Sequence, residues 1–215
     1  MKIAILGGGV AAFEAANAAR KFSADVQIDI FSSEALPPYR RPALSGMLAD
    51  FKINEKLFFI KPENFYAENN IALYLNKSCV EIKEDSLIFS DGSEFNFDKL
   101  VIATGGRACR PPIPGSDLPN VYTFRSFADL EKLNSAVADI KTAVIIGGGV
   151  LGLELAESLL KRGIKVNVLE LNNQLFAHKL SPEGSAEVEA KLREFEGLEL
   201  YLGVKAAAVT ASGVT

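Results

Sequence analysis

The sequence predicts an α/β protein built from two doubly wound units in tandem. Three observations predict it: an internal repeat, a glycine triplet at the same place in each copy, and a proline-rich crossing between the copies. Residues 2–22 (KIAILGGGVAAFEAANAARKF) and 142–162 (TAVIIGGGVLGLELAESLLKR) are identical at eight of 21 positions, including all three glycines, the following Val and a Glu. In each copy an apolar run of strand length enters the glycines. Small and apolar residues then recur at i, i+3 and i+4, the period of a helix face. A second strand follows each helix, at 26–31 and 165–169.

Between the copies, residues 86–104 (SLIFSDGSEFNFDKLVIAT) place Asp91-Gly92 at a hairpin turn and a buried strand at 99–103. Pro111, Pro112 and Pro114 stiffen the stretch 110–119, as suits an extended crossing, and put the boundary near residue 110. Domains of 1–110 and 111–215 are therefore expected. A helix is expected over about 128–138, and Ser181-Pro182-Glu183 reads as the cap and first turn of another reaching about 196. From Leu198 the chain reads as short strands with nothing closing the domain, so both units are expected to be truncated.

Composition narrows the function. The 215 residues hold 23 Lys and Arg against 27 Asp and Glu, for a net charge of −4, with one His, two Cys, no Trp and 48% hydrophobic residues. That balance excludes a disordered tail, a collagen-like repeat and a disulfide-stapled miniprotein. Without a basic excess there is no general nucleic-acid binder, because counterion release needs clustered Lys and Arg. Cys79 and Cys109 stand in no CxxC spacing, which fits a reducing cytosol and supplies neither a zinc site nor a dithiol. The apolar stretch 143–160 carries Glu154, Glu157 and four glycines, which lipid would penalise, and reads as a buried strand and helix. An apolar strand beginning at Ile3 and meeting glycine by Gly7 is no signal leader. The chain reads as soluble and cytoplasmic, with no membrane partner.

Each glycine loop matches the dinucleotide fingerprint, Gly7-x-Gly9-x-x-Ala12 and Gly147-x-Gly149-x-x-Gly152, and makes each unit Rossmann-like. The first glycine permits the tight turn, the second lets pyrophosphate reach the backbone, and the third small residue lets helix and strand close up. Phosphate then meets free N–H groups at the positive end of a helix. Glu170 lies 21 residues after Gly149, close to the spacing of about 20 at which a carboxylate binds the ribose hydroxyls. A 2′-phosphate there would face like charge, so NADH is favoured over NADPH. In the first copy Glu34 corresponds, 25 residues after Gly9; Ser32 and Ser33 are able to share that role, and a solvated loop acid is the plainer reading.

On these motifs the chain resembles the two-dinucleotide-fold flavoproteins, the FAD- and NAD(P)H-dependent pyridine-nucleotide oxidoreductases. The pieces that carry the resemblance are GGGVAAFEAA at Gly7, PPYRRPALS at Pro37, DKLVIATGGRACRPPIPG at Asp98 and GGGVLGLELAESL at Gly147. It is most similar to NADH:rubredoxin reductases, ferredoxin reductases of oxygenase systems and the flavin module of NADH-dependent nitrite reductases. The resemblance implies FAD on the first domain, with Gly7, Gly9, Ala12, Glu34, Arg41, Pro42 and the Ala103-Thr104-Gly105 turn around it. It implies NADH on the second, held by Gly147, Gly149, Gly152 and Glu170, with Glu154 near the nicotinamide. The implied partner is a small redox protein or a haem or iron–sulfur acceptor, and a homodimer is implied where a further C-terminal domain is present.

The departures are specific. Where such ferredoxin reductases have RPPLSK, residues 41–46 read RPALSG, without the lysine; where NADH oxidases and coenzyme A disulfide reductases place a cysteine, Ser45 passes to Gly46 and Met47. Thiol chemistry at the flavin thus lacks its nucleophile. Val150 stands where many relatives have an aromatic gate. The family also continues for well over a hundred residues, with a Gly-Asp segment and an interface domain that have no counterpart here. The expected activity is electron transfer from NADH through FAD to a protein acceptor, with no catalytic side chain and no metal. The alternatives are an NADH oxidase or disulfide reductase, or a nucleotide-binding module without turnover. His178 is expected at the surface, the two cysteines as inert, and Tyr39 and Phe13 as core aromatics.

Overall fold

The computed structural model describes residues 1–50, 52 and 54–215. The first part of the chain forms β1 (Lys2–Leu6), α1 (Val10–Phe22), β2 (Gln27–Phe31), α2 (Ala43–Asp50), α3 (Glu55–Phe58), α4 (Asn64–Glu68), β3 (Ile71–Tyr74), β4 (Cys79–Ile82), β5 (Ser86–Phe89), β6 (Glu94–Asn96) and β7 (Lys99–Ile102). The rest forms α5 (Phe127–Ala136), β8 (Thr142–Ile146), α6 (Val150–Lys161), β9 (Lys165–Glu170), α7 (Pro182–Leu192), β10 (Leu198–Leu202), β11 (Val209–Thr210) and β12 (Gly213–Val214).

Two compact units result. One comprises Met1–Arg40 with Ile53–Gly106, the other Arg41–Lys52 with Arg107–Thr215. The division thus falls four residues before position 110, and it hands α2 to the second unit.

In the first unit the parallel order β3-β2-β1-β7 puts the strand that enters the glycine loop inside the sheet. Alternation sends Ile5, Ile28, Ile30 and Ile71 to one face, where Ala12, Phe13 and Ala16 of α1 and Tyr66 of α4 cover them. Ala4, Leu6 and Phe31 point the other way, onto Leu87 and Phe89 of the antiparallel sheet β4-β5-β6. Phe31 stacks on Tyr74 at 4.8 Å. Asp29, at a core position on this second face, is 1% exposed and its Oδ2 has no partner. Arg20 ties the C-terminal end of α1 to the turn before β3, donating to the carbonyls of Asn69 (2.9 Å) and Asn70 (2.7 Å).

The second unit repeats the plan with the parallel order β10-β9-β8. No helix among the described residues is long and apolar enough to cross a membrane; the stretch 143–160 is most of β8 and α6.

Two elements differ from the sequence reading. Residues 113–121 coil into successive turns, with N–H to carbonyl bonds from Ser116 to Ile113, Leu118 to Gly115 and Val121 to Leu118. Gly115, at φ 79, reverses the chain there, and the Pro114 carbonyl accepts from Val209 N–H at 2.8 Å. Proline stiffens φ but keeps its acceptor, so the stretch docks onto β11 in place of running straight. Helix α7 ends at Leu192, before 196, and turns through Gly197 (φ 84) lead into β10. The short helices α2, α3 and α4 carry too few turns to show a period in the sequence.

Candidate functional site

Each parallel sheet ends at a glycine loop leading into a helix N-terminus. The two loops share one backbone design: Gly7 N–H donates to Phe31 O at 2.9 Å, and Gly147 N–H donates to Leu169 O at 2.8 Å. Gly7 (φ 133) and Gly147 (φ 111) both occupy conformations that L side chains rarely adopt. Gly9 and Gly149 are the N-caps of α1 and α6, and neither helix has a side-chain cap. A Cβ at Gly9 or at Gly149 would meet nothing within 4 Å.

Of the other helices, the short α3 and α4 have no side-chain cap either, but the longer α5 and α7 do. Ser126 and Asp129 form a capping box on α5, and Ser181 caps α7. At α1 and α6 the first N–H groups are instead left facing open space beside glycine, where an anionic oxygen satisfies them and meets the helix dipole. The residues therefore fit a pyrophosphate at each loop.

The first cradle is closed on one side by β7. Ala103 N–H donates to Leu6 O at 2.7 Å, and a Cβ on Gly7 would be driven into the Ala103 carbonyl and against Thr104 N. Ala103 and Thr104 thus lie beside the loop just after β7, and Gly105 (φ 69) follows them. Ala12 is fully buried against the sheet. Glu34 is more than a solvated loop acid: its Oε2 accepts from the Tyr39 hydroxyl at 2.6 Å, and Tyr39, 2% exposed, stacks on Phe58. Ser32 is the residue that follows the end of β2. Its Oγ accepts from Glu34 N–H at 3.1 Å, and a Cβ on Gly8 would collide with it.

In the second cradle Glu170 ends β9 and takes the place that Ser32 holds in the first. Its Oε2 accepts from Gly148 N–H at 2.8 Å, and its Oε1 accepts from Asn172 N–H at 2.9 Å and Asn172 Nδ2 at 2.8 Å. Burial alone would raise this carboxyl, but the bonds from Asn172, Gly148 and Leu171 outweigh it and hold the group below its ordinary value, so it is ionised. A carboxylate offers about four acceptor sites, so capacity remains for a ribose hydroxyl. Gly152 is needed sterically, since a Cβ would run into the Gly147 carbonyl.

Glu154 lies one turn into α6, and its Oε2 accepts from the Ser45 hydroxyl at 2.9 Å. Arg41 and Pro42, expected with the first nucleotide, belong to the second unit, where Arg41 Nη1 donates to Arg125 O at 2.9 Å. Val150 is half exposed. His178 lies exposed in a turn, Cys109 is exposed and Cys79 opens β4. Sequence reasoning missed Tyr39 as the holder of Glu34, Asn172 as the clamp on Glu170, and Ser45 with Ser158 beside Glu154. The Asn172 signal was legible, since an Asn two residues beyond a carboxylate is placed for a local turn bond; the others arise from tertiary contacts.

Two uncapped helix ends floored by glycine, each at the C-terminal edge of a parallel sheet, define a protein with two Rossmann-like dinucleotide cradles. The family model for pyridine nucleotide-disulphide oxidoreductases matches residues 1–215. The chain belongs to that family. It is 37% identical over 207 residues to the rubredoxin-NAD(+) reductase of Ectopseudomonas oleovorans, covering 95% of this chain and 54% of the relative. It is 33% identical to the rhodocoxin reductase of Rhodococcus erythropolis, covering 100% of this chain and 52% of that one. Among solved structures, the ferredoxin reductase for the CYP199A2 system from Rhodopseudomonas palustris superposes with a TM-score of 0.90 at 30% identity, covering 100% of this chain and 54% of that one. The chain spans about half the length of the curated relatives it matches. The family and these names imply FAD and NADH as the cofactors.

Proposed function

We propose that the first unit binds FAD, that the second binds NADH, and that the protein passes electrons from NADH to a small redox protein of the rubredoxin or ferredoxin kind. The observation that carries this is the pair of uncapped glycine-floored helix ends in a chain that caps α5 and α7 with serine. Bound there, FAD would supply hydride acceptance from NADH and release of single electrons, chemistry that needs no side-chain nucleophile.

The residues of the chain bind and orient. Backbone N–H groups after Gly9 and Gly149 take the pyrophosphates, with Gly7 and Gly147 making the turns and Ala12 and Gly152 the close packing. Glu170, ionised and pinned by Gly148 and Asn172, takes the adenosine ribose and rejects a 2′-phosphate. Glu34, held by Tyr39, takes the adenosine ribose of FAD from two residues beyond Ser32, the residue whose position matches that of Glu170, with Thr104 and Gly105 beside the loop. Glu154, on α6 of the second unit, takes the nicotinamide end of NADH. A cytoplasmic setting accords with two cysteines that form no dithiol motif. The names of the relatives, which act on rubredoxin and rhodocoxin, support a small redox protein as acceptor.

The test is an anaerobic titration of the FAD-reconstituted protein with NADH, followed by addition of oxidised rubredoxin. The expected result is bleaching of the flavin band by NADH and its return with rubredoxin. A protein that binds NADH but takes up no flavin would be a nucleotide-binding module, and rapid NADH-driven reduction of a disulfide would replace the electron-transfer reading.

A further inference from the structure

We infer that Ser45 is a positioning residue for Glu154, fixing one carboxylate oxygen so that the other is presented to the nicotinamide carboxamide; this rests on the placement of NADH proposed above. The Ser45 hydroxyl donates to Glu154 Oε2 at 2.9 Å, with the Pro42 carbonyl a longer alternative at 3.2 Å. A single hydroxyl proton goes to the charged and nearer acceptor. The bond is sheltered, since Ser45 is 5% exposed and Ser158 is 4% exposed.

The serine is itself held. Ser158 Oγ donates to the Ser45 carbonyl at 2.6 Å, and lies 3.0 Å from the Glu154 carbonyl one turn behind it. Two serines and a glutamate therefore form a closed braid between α2 and α6, within the second unit. Further bonds anchor the rest of α2: Arg162 Nη1 reaches Leu48 O at 3.2 Å and Asn134 Oδ1 at 2.6 Å, and Arg41 fastens the segment before α2 to Arg125 O. A side chain as long as glutamate loses rotamer freedom on binding, and a donor already in place removes that cost beforehand.

The chemistry follows from the donor type. A neutral hydroxyl leaves the negative charge of Glu154 uncancelled, whereas a cation would neutralise it. Gly46, next in sequence, has open space where a side chain would stand. Oε1 is then a strong acceptor of fixed direction, suited to the amide N–H of a carboxamide and not to an acid or ester there. Ser45 and Glu154 thus select the nicotinamide half of the coenzyme, while Glu170 and the glycine loop select the adenosine half.

The two halves are separable by ligand. Affinities of NADH and of ADP-ribose, which lacks the nicotinamide, are measured by calorimetry for the protein and its Ser45→Ala, Ser45→Thr and Glu154→Gln variants. Ser45→Ala is expected to weaken NADH about tenfold while leaving ADP-ribose unchanged, near the lower end for a hydrogen bond to a charged group. Ser45→Thr is expected to restore most of the loss. Glu154→Gln, which keeps the shape of the side chain, is expected to lose the same preference. Equal weakening of both ligands in Ser45→Ala would make Ser45 a packing residue. An unchanged NADH preference in Ser45→Ala or in Glu154→Gln would likewise overturn the inference, and the glutamine variant decides the matter if the alanine variant does not fold. If the unaltered protein shows no preference for NADH over ADP-ribose, the placement of the nicotinamide fails instead.

Discussion

The two glycine loops share a backbone and differ in what stands behind it. At Gly7 the Ala103 carbonyl, just past the end of β7, leaves no room for a Cβ, whereas at Gly147 the space is open and β8 is the last strand of its sheet among the described residues. At the strand end behind the loop, the first unit places the neutral Ser32 and the second the ionised Glu170. One copy of the repeat is thus closed sterically at its first glycine, and the other is backed by a negative charge. The fingerprint alone specifies the turn; the residue after the second strand sets the charge behind it.

Four experiments break or sharpen that contrast. The largest effect is expected from Gly7→Ala against Gly147→Ala. Both strain a positive φ, at about 1–3 kcal/mol. Only the first also drives a methyl into a backbone carbonyl, so thermal or urea denaturation should show Gly7→Ala as clearly the more damaging. Equal losses would mean that β7 yields easily.

Glu170→Gln comes next, with NADH binding weakened about tenfold, as for loss of a hydrogen bond to a charged acceptor, and with the gap between NADH and NADPH narrowed. Flavin content should stay constant, and a fall in flavin would link the units in a way their separate cradles do not require.

The third contrast is in pH, and its sign differs between the units. The Glu170 carboxyl is held below its ordinary value of 4.5, so the folded protein binds fewer protons than the unfolded one in that window. The stability it lends is present above pH 4.5 and is lost as pH falls through its lowered value. Asp29 in the first unit behaves oppositely. Burial raises it above 3.8, against opposing bonds from Gln27 and Tyr74 and the charge of Lys2. Stability is therefore highest where Asp29 is protonated and declines as pH rises through its raised value. Denaturation across pH 3 to 8 should show the declining slope flattened by Asp29→Asn and the rising one flattened by Glu170→Gln. The smallest effect is expected from replacing Cys79 and Cys109 with serine, which should leave NADH-driven flavin bleaching unchanged; a marked slowing would bring thiol chemistry back.

Much of this was written locally and some was not. The repeated strand, glycine loop and helix are legible because apolar period, small residues and turn conformation all agree over twenty residues. The place of Glu170 at the end of β9, beside the glycine loop, was legible from its spacing. The place of α2 was not: RPALSGML carries no mark that it packs on α6 and not on the helix nearest in sequence, since that choice is made by Ser45, Ser158 and Arg162 meeting across about a hundred residues of chain. The asymmetry behind the loops was equally hidden, because a serine beside a glutamate looks the same whether either faces a glycine or water.

The lodging of α2 against α6 has a consequence for synthesis on the ribosome. Leu44, Met47 and Leu48 emerge about 100 residues ahead of the helix that buries them, and translation at about 5–20 residues per second leaves them waiting roughly 5–20 s. During that interval these three apolar side chains lack the helix that later covers them.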